Sequence, residues 1–209
     1  TKPLLDGLVI TQSGVGVKLE GTDTTATISN SSITDCSTGI FASWAAWSQA
    51  ISVTNTEISS NESGVQTTGS AKINLTHCVI TDNTNVGLDM DGNVAEYNLI
   101  AGNKVGVRTS GGWDEIRYNV IEENERGIEV GSYPERPIIE FNNITDNSVH
   151  ALAYIGGNSD GPVEAMNNWW GTDDIAAVAD VIWDIYDDQT LFEVLYDPIL
   201  LAPEPTAGP

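Results

Sequence analysis

The stretches IAGNKVGV at residues 100–107 and IEENERGI at residues 121–128 decide the fold of this chain. Each begins with an isoleucine, has an asparagine three positions later and ends on a glycine followed by an aliphatic residue. The phrase occurs seven times with small variations, and its leading isoleucines stand at positions 10, 33, 58, 80, 100, 121 and 144. The repeats are therefore 20 to 25 residues long and contain no helical pattern, which is typical of a β-solenoid.

Apolar residues alternate within each repeat and predict three short strands per turn. A second apolar column lies five positions before the isoleucine, and a third lies nine positions after it in most copies. This alternation has the period of a β-strand, and polar or glycine-containing corners separate the segments. Successive turns would stack at about 4.8 Å, the ordinary spacing of paired strands. A leucine-rich repeat has a similar period, but its key column would be leucine and it usually contains a helix.

The asparagine column predicts a hydrogen-bonded ladder along the axis of the coil. Side-chain amides at the strand spacing can bond to one another and so satisfy polar groups that point inward. Asparagine also tolerates the positive φ angles that corners often need. The glycines that follow are expected to provide a tight bend into the next strand. The members of this structural ladder are Asn61, Asn83, Asn103, Asn124 and Asn147.

These repeats resemble the right-handed parallel β-helix of the pectate-lyase-like superfamily, which includes pectinases, alginate epimerases and many surface proteins. The resemblance covers about residues 1–170. It implies an all-β fold, a single-stranded right-handed parallel β-helix of about seven to eight turns with a small C-terminal helix and strand cap. It implies no particular activity, because lyases, hydrolases, epimerases and inert binding proteins share the fold.

The repeat pattern ends near residue 170 and predicts three parts. Residues 1–170 form the β-helix, 171–200 a cap, and 201–209 a proline-rich linker or tail. Thr172 is a candidate N-cap for a short helix, and a last strand is expected at about 192–196. The run NNWWG at 167–171 and the aromatic segments after it resemble the terminal cap of prokaryotic surface β-helix proteins. Those aromatics are expected to plug the core, since an open solenoid end is an exposed sheet edge.

The composition favours an exported protein that does not bind nucleic acid. Eight Lys and Arg residues against thirty Asp and Glu residues give a net charge of −22, the wrong sign for binding phosphates. Cationic ligands such as Ca²⁺ fit better, although acidic residues also keep an exposed surface soluble. No membrane span or signal peptide is recognisable, and both ends suggest a piece of a larger protein. Cys36 and Cys78 lie two turns apart, too far for a disulfide, and are expected to be buried thiols.

One charged cluster is the candidate for chemistry. The residue that follows each isoleucine by eight positions, or by nine in the copy with Gly87, should face outward. This column places Asp89, Arg108 and Glu129 on adjacent turns, with Asp91 beside them. The resemblance implies that Asp89 and Asp91 would bind Ca²⁺ and that Arg108 would bind an acidic sugar, as in the lyase branch. The alternative is a charge ladder in which each pair contributes less than about 1 kcal/mol. The paired aspartates of the hydrolases and the Tyr/Asp/His signature of the epimerases are absent.

Aromatic insertions provide a second candidate site. Trp44, Trp47, Trp113 and Tyr133 lie in segments that depart from the repeat. Loops on a rigid scaffold often carry binding sites, and flat aromatic rings suit sugar faces. Trp44 and Trp47 could equally cover the flank of the solenoid.

The sequence therefore predicts a non-catalytic extracellular β-helix module, carbohydrate-binding or structural, from a larger prokaryotic surface or secreted protein. Its expected partners are a polysaccharide or cell-surface glycan and neighbouring domains. No cofactor is expected to be required, Ca²⁺ is a candidate bound ion, and a monomer is expected. The first alternative is a Ca²⁺-dependent polyuronate lyase or epimerase, and the second is a trimeric adhesin or phage spike. An adhesin or spike would need a long apolar outer face, which the polar outward columns argue against.

Overall fold

The chain coils into a parallel β-solenoid in which each repeat contributes three strands. The computed structural model describes residues 3–21, 24–43, 51–69, 71–109, 113–131, 136–156 and 161–209. The solenoid has about six complete turns, because the seven isoleucines of the repeat mark the ends of six intervals. This is fewer than the seven to eight turns predicted from the number of repeats. The leucine-rich alternative is wrong, because the repeats of the described segments contain strands and no helix.

The strands of the first half are short and follow one another in a fixed cycle. In chain order they are β1 (Leu4–Asp6), β2 (Val9–Thr11), β3 (Val15–Glu20), β4 (Thr27–Ser29), β5 (Ser32–Thr34), β6 (Thr38–Ser43), β7 (Ile51–Thr54), β8 (Glu57–Ser59), β9 (Ser63–Thr68), β10 (Ile73–Thr76), β11 (Val79–Thr81) and β12 (Val86–Met90).

The second half continues the cycle and ends in the cap. Its elements are β13 (Val94–Glu96), β14 (Leu99–Ala101), β15 (Val105–Thr109), β16 (Glu115–Arg117), β17 (Val120–Glu122), β18 (Arg126–Val130), β19 (Ile138–Glu140), β20 (Asn143–Thr145), β21 (His150–Tyr154), β22 (Val163–Glu164), α1 (Ile175–Ala179), β23 (Ile182–Trp183) and β24 (Val194–Leu195).

Every third strand of the coil joins the same sheet. The first sheet has the order β1-β4-β7-β10-β13-β16-β19, and the second has the order β2-β5-β8-β11-β14-β17-β20. The third sheet has the order β23-β21-β18-β15-β12-β9-β6-β3. All pairs are parallel, and the register aligns the leading isoleucines from Ile10 to Ile144 in one column of the second sheet.

The core is one continuous apolar column. The isoleucines from Ile33 to Ile144 are fully buried, together with inward residues of the other two sheets such as Leu75 and Leu88. Burial of one such side chain contributes about 1.5–3 kcal/mol. Cys36 and Cys78 are free and buried, which confirms the prediction that they pack as thiols.

The asparagines form a ladder, but their backbone conformation differs from the expected one. The Nδ2 of Asn83 donates to the Oδ1 of Asn103 at 2.9 Å, and the Nδ2 of Asn103 donates to the Oδ1 of Asn124 at 3.0 Å. Positive φ angles belong to the residues just before these asparagines, such as Asp82 at 56° and Glu123 at 56°. The preceding residue therefore makes the corner, and the asparagine satisfies the buried polar groups inside it.

A second asparagine ladder stacks at the corner between the first and second sheets. Its members Asn98, Asn119, Asn142 and Asn168 are fully buried, and their amides bond to one another at 2.9 to 3.0 Å. Earlier turns have Ser31, Thr56 and Cys78 at this position.

The glycines of the repeat are required by close stacking rather than by a bend. A Cβ on Gly106 would lie 2.6 Å from the carbonyl oxygen of Gly127, and a Cβ on Gly127 would lie 2.5 Å from that of Ala151. None of the repeat glycines from Gly16 to Gly127 has a positive φ. A methyl group is accepted at Ala151, because the cap begins there. The N–H of Ala151 donates to the carbonyl oxygen of Val181.

The C-terminal cap contains the predicted small helix and strand, and its aromatic residues are partly buried and partly exposed. Helix α1 begins after Asp174, whose side chain accepts from the N–H of Ala176, so Asp174 and not Thr172 is the N-cap. Trp170 is buried in the core cluster, which confirms the predicted plug at that residue. Tyr186 is 82 % exposed, so the prediction is wrong there.

The final residues lie against the body of the solenoid. The N–H of Leu200 donates to the oxygen of Asn168, and Glu204 exchanges two hydrogen bonds with the side chain of Asn143. The N–H of Gly208 donates to the oxygen of Tyr118 at 2.9 Å. The segment 201–209 therefore runs back along the outer face of the second sheet.

Candidate functional site

The outward column of the third sheet contains the predicted charged residues in the predicted order. The register pairs Asp89 with Arg108 and Arg108 with Glu129 on three adjacent strands. Asp91 follows the end of β12. The alternation of the strands, with Val107 and Thr109 buried on either side of Arg108, turns the guanidinium outward.

Glu129 is the centre of this cluster and is covered rather than solvated. The Nε and Nη2 of Arg108 each lie 2.9 Å from its Oε2, and the Nη1 of Arg126 lies 2.9 Å from its Oε1. The whole residue is only 3 % exposed, whereas the sequence predicts a solvent-facing side chain. The two arginines that cover it explain the difference. Arg126, which sequence reasoning missed, lies three positions before Glu129 on the same strand.

Asp89 lies in an electrostatically unfavourable place. Burial raises the pKa of Asp89, and the neighbouring carboxylates of Glu129 and Asp91 raise it further, whereas the Arg108 guanidinium lowers it. Within the described residues, no three His, Cys, Asp or Glu side chains come together as a metal site. A cation held by Asp89 and Asp91 would therefore take most of its ligands from water.

A further buried carboxylate belongs to the scaffold. Asp114 accepts hydrogen bonds from the N–H of Asn93 at 2.7 Å and from the hydroxyl of Thr109 at 2.5 Å. Burial raises its pKa to about 6 against these hydrogen bonds. Asp114 thus belongs to a hydrogen-bonded ladder at the corner between the third and first sheets, where it plays the part that asparagines play at the other two corners.

Of the predicted aromatic residues, Trp113 lies in the described part of the chain and is 71 % exposed. It directly precedes the buried Asp114, so its backbone is anchored while its indole faces solvent. Trp44, Trp47 and Tyr133 lie outside the described residues.

An aromatic stack at another corner was missed. The rings of His77, Tyr97, Tyr118 and Phe141 stack with centroids 5.1 to 5.4 Å apart and interplanar angles of 5° to 15°. Each residue stands three positions before a leading isoleucine, so a column search would have found the stack. The ring faces pack on one another, which leaves mainly edges free for a ligand.

The comparisons with known proteins give one match. A model of the family described as "NosD: Periplasmic copper-binding protein (NosD)" matches residues 5–172. No curated protein and no solved structure matches the chain significantly.

The residues of this chain do not fit a copper site. Copper prefers His, Cys and Met ligands, and the chain has two of each. His77 stacks at the corner between the first and second sheets, whereas His150 lies on the third sheet. Cys78 is buried, and burial raises the pKa of its thiol to about 11, which keeps it protonated. Its Sγ donates to backbone carbonyls. Among the described residues, which include both histidines and both cysteines, no three His, Cys, Asp or Glu side chains come together, so these donors do not form a copper site.

Proposed function

Because the chain belongs to the NosD family of right-handed parallel β-helix proteins, we propose that it is a non-catalytic, carbohydrate-binding β-helix module of an exported prokaryotic protein. The family name refers to the periplasm, which agrees with the acidic, exported character expected from composition. Within the described residues, no helix is long and apolar enough to cross a membrane.

The internal pairing of the charged cluster is the observation that carries the non-catalytic assignment. A lyase needs an arginine that reaches an acidic sugar and a base that can accept a proton. Arg108 is held in two contacts by Glu129, and Glu129 is covered by Arg108 and Arg126. Approach of a substrate to either group would first have to break these ion pairs.

Trp113 supports the proposal of a sugar ligand. Its exposed indole directly precedes the buried corner residue Asp114, and stacking on a sugar face needs such a flat, accessible surface. The experiment is calorimetric titration of the protein with pectate, alginate and neutral polysaccharides. We expect Trp113→Ala to weaken binding about tenfold, a loss of about 1.4 kcal/mol.

Tyr186→Ala is the matched control, because this aromatic side chain is similarly exposed but lies in the cap. Equal effects of the two substitutions would contradict a sugar site at Trp113. Absence of binding to every polysaccharide would leave the structural role as the function of the module.

Ca²⁺ is the proposed cation of the Asp89 and Asp91 pair, since hard cations prefer carboxylate oxygens. A bound cation would offset the burial, and the repulsion by Glu129 and Asp91, that raise the pKa of Asp89. We expect Ca²⁺ to raise Tm more than Na⁺ does at equal ionic strength, and Asp91→Asn to remove the difference. Equal stabilisation by the two ions would mean that these carboxylates are only a solvated surface.

The adhesin or phage-spike alternative requires a trimer. The outward column of the third sheet carries polar and charged residues such as Gln66, Asp89 and Arg108. These residues favour a monomer in solution. Light scattering tests this expectation, and a trimer would favour the adhesin class.

A further inference from the structure

Four stretches of the chain have the Asn-x-Ser/Thr pattern of asparagine-linked glycosylation, and the structure distinguishes among them. They begin at Asn30, Asn61, Asn74 and Asn143. Asparagine, serine and threonine are common throughout this chain, so the pattern alone does not identify a site. An attached oligosaccharide is bulky and has to stay outside the folded protein, so the surroundings of each asparagine side chain decide.

Two of the four asparagines are excluded by contacts that a glycan would break. Asn61 is 1 % exposed, and its Nδ2 donates to the Oδ1 of Asn83 at 3.1 Å and to the carbonyl oxygen of Ile33 at 3.2 Å. The Nδ2 of Asn143 donates to the carbonyl oxygen of Glu204 at 3.1 Å. A sugar linked to the first nitrogen would take the place of the asparagine ladder, and one linked to the second would displace the tail.

The two exposed asparagines differ in what their amides contact. Asn30 lies at the corner between the first and second sheets, and its Nδ2 donates to the carboxylate of Asp6 at 2.8 Å. Asn74 lies on β10, and its amide has no hydrogen-bond partner in the part of the chain that the structure describes. Its neighbours in the same column are Ser52 and Val94, neither of which has a long side chain. A glycan fits on Asn74 without the loss of a contact.

The hydroxyl that completes the pattern lies on the same face of β10. Ile73 and Leu75 are buried, whereas Asn74 is exposed and Thr76 is half-buried. Side chains two positions apart on a strand point to the same side of the sheet. Both the amide of Asn74 and the hydroxyl of Thr76 therefore face outward from the first sheet.

The face around Asn74 is uncharged, although the chain as a whole carries a net charge of −22. The outward residues of β4, β7 and β10 are Thr27, Ser29, Ser52, Thr54, Asn74 and Thr76. Charged side chains begin again on the next strands, with Glu96 on β13 and with Arg117 paired to Glu115 and Glu140. Charges keep a protein surface soluble, and an oligosaccharide does so without charge. The uncharged face is thus the part of the first sheet that a glycan would serve.

We propose that Asn74 is a glycosylation site and that its oligosaccharide covers the outer face of the first sheet at β4, β7 and β10. This inference goes beyond sugar binding at Trp113 and needs only the export that is proposed for the module. An asparagine amide is a weak nucleophile, so the reaction needs a transferase of the exporting cell and an activated donor, an oligosaccharide linked through phosphate to a polyprenol lipid.

The reaction is a group transfer without oxidation or reduction. A bond forms between the Nδ2 of Asn74 and C1 of the first sugar, and the bond between C1 and the phosphate oxygen breaks. The polyprenyl phosphate is the leaving group, and Nδ2 loses one proton to a base of the transferase. The transfer takes place on the exported chain before β10 pairs with β7 and β13, and folding then leaves the glycan outside.

The test is mass spectrometry of the full chain from a host that exports it and transfers oligosaccharides to Asn-x-Ser/Thr. The same chain from a host without the transferase is the reference. We expect the intact mass to exceed the reference by one oligosaccharide and glycopeptide fragmentation to place it on Asn74. The peptides with Asn30, Asn61 and Asn143 should be unmodified. An unmodified Asn74, or a glycan on Asn30 in its place, would overturn the proposal.

Variants of the hydroxyl position separate recognition of the pattern from general exposure. Thr76→Ala keeps Asn74 and should lose the glycan, whereas Thr76→Ser keeps a hydroxyl and should retain it. Thr54→Ala is the matched control, because Thr54 pairs with Thr76 in the register and belongs to no such pattern. Equal occupancy of Asn74 in Thr76→Ala and Thr54→Ala would contradict the proposal. None of these results bears on polysaccharide binding at Trp113.

Discussion

Replacement of Asn103 by alanine removes the middle rung of the ladder and is the perturbation with the most calculable effect. The side chain is buried, and its Oδ1 accepts from the N–H of Asn83 at 3.0 Å and from the Nδ2 of Asn83 at 2.9 Å. Its Nδ2 donates to the carbonyl oxygens of Ile80 and Ala101 and to Asn124. Alanine would leave the buried N–H of Asn83 without this partner.

One orphaned buried donor costs about 1–3 kcal/mol, and each of the four other lost hydrogen bonds costs about 1 kcal/mol, so we expect a loss of about 5–7 kcal/mol in the free energy of unfolding. For a chain of this size, such a loss lowers Tm by about 10–25 °C. Urea denaturation followed by circular dichroism measures it. Lys104→Ala, at the exposed neighbouring position, is the control and should change little.

Asn103→Asp sharpens the same test. The carboxylate keeps the acceptor for Asn83 but places an acceptor against the oxygens of Ile80 and Asn124, which disfavours its charged form. The pKa of the introduced carboxyl would therefore be raised in the folded state. The variant should be most stable at low pH and should lose stability as the pH rises. Equal unfolding free energies for Asn103→Ala and Lys104→Ala, or an Asn103→Asp variant insensitive to pH, would refute the ladder as a source of stability.

Three further predictions follow from the core, the buried carboxylate and the donor set. Ile100→Ala should lower the free energy of unfolding by about 2–5 kcal/mol, because it leaves a cavity in the core. Glu129→Ala should lower it by only about 1 kcal/mol, because the arginine partners of Glu129 are partly solvated. Similar Tm shifts for the two variants would contradict this. Burial raises the pKa of Asp114 from 3.8 to about 6 in the folded protein. This shift predicts about 3 kcal/mol in the free energy of unfolding that is present below pH 4 and is lost as the pH rises through 6. Urea denaturation measured across this pH range should show the loss in the wild type and not in Asp114→Asn. Calorimetry should detect no copper complex tighter than about 1 μM, and a tighter complex that His77→Ala or His150→Ala abolishes would contradict the absence of a copper site.

The sequence predicts the solenoid because each turn has the same inward pattern. The isoleucine column, the asparagine column and the outward position of Arg108 all follow from period and alternation, and the register places them accordingly. The reason for the glycine column does not follow from the sequence. A glycine can be required by a bend or by the close approach of a neighbouring strand, and the sequence is the same in both cases. Only the stacking of Gly106 on Gly127 distinguishes the two.

The candidate site was less predictable because side-chain pairing depends on rotamers as well as on columns. Arg126 reaches Glu129 within one strand, and Arg108 reaches the same carboxylate from the strand before, a convergence that column positions do not show. The tail 201–209 has the composition of a linker, and its docking depends on the Asn143 amide and on backbone groups far away in sequence.

The central claim is that this β-helix binds without catalysis, and product analysis tests it most directly. The protein is incubated with pectate, alginate and other uronates, with and without Ca²⁺, and ultraviolet absorbance and size-exclusion chromatography detect unsaturated or shortened chains. We predict unchanged polymers, because Arg108 and Glu129 are bound to each other. Unsaturated or shortened products that disappear in the Arg108→Ala variant would contradict it and establish a lyase at this column.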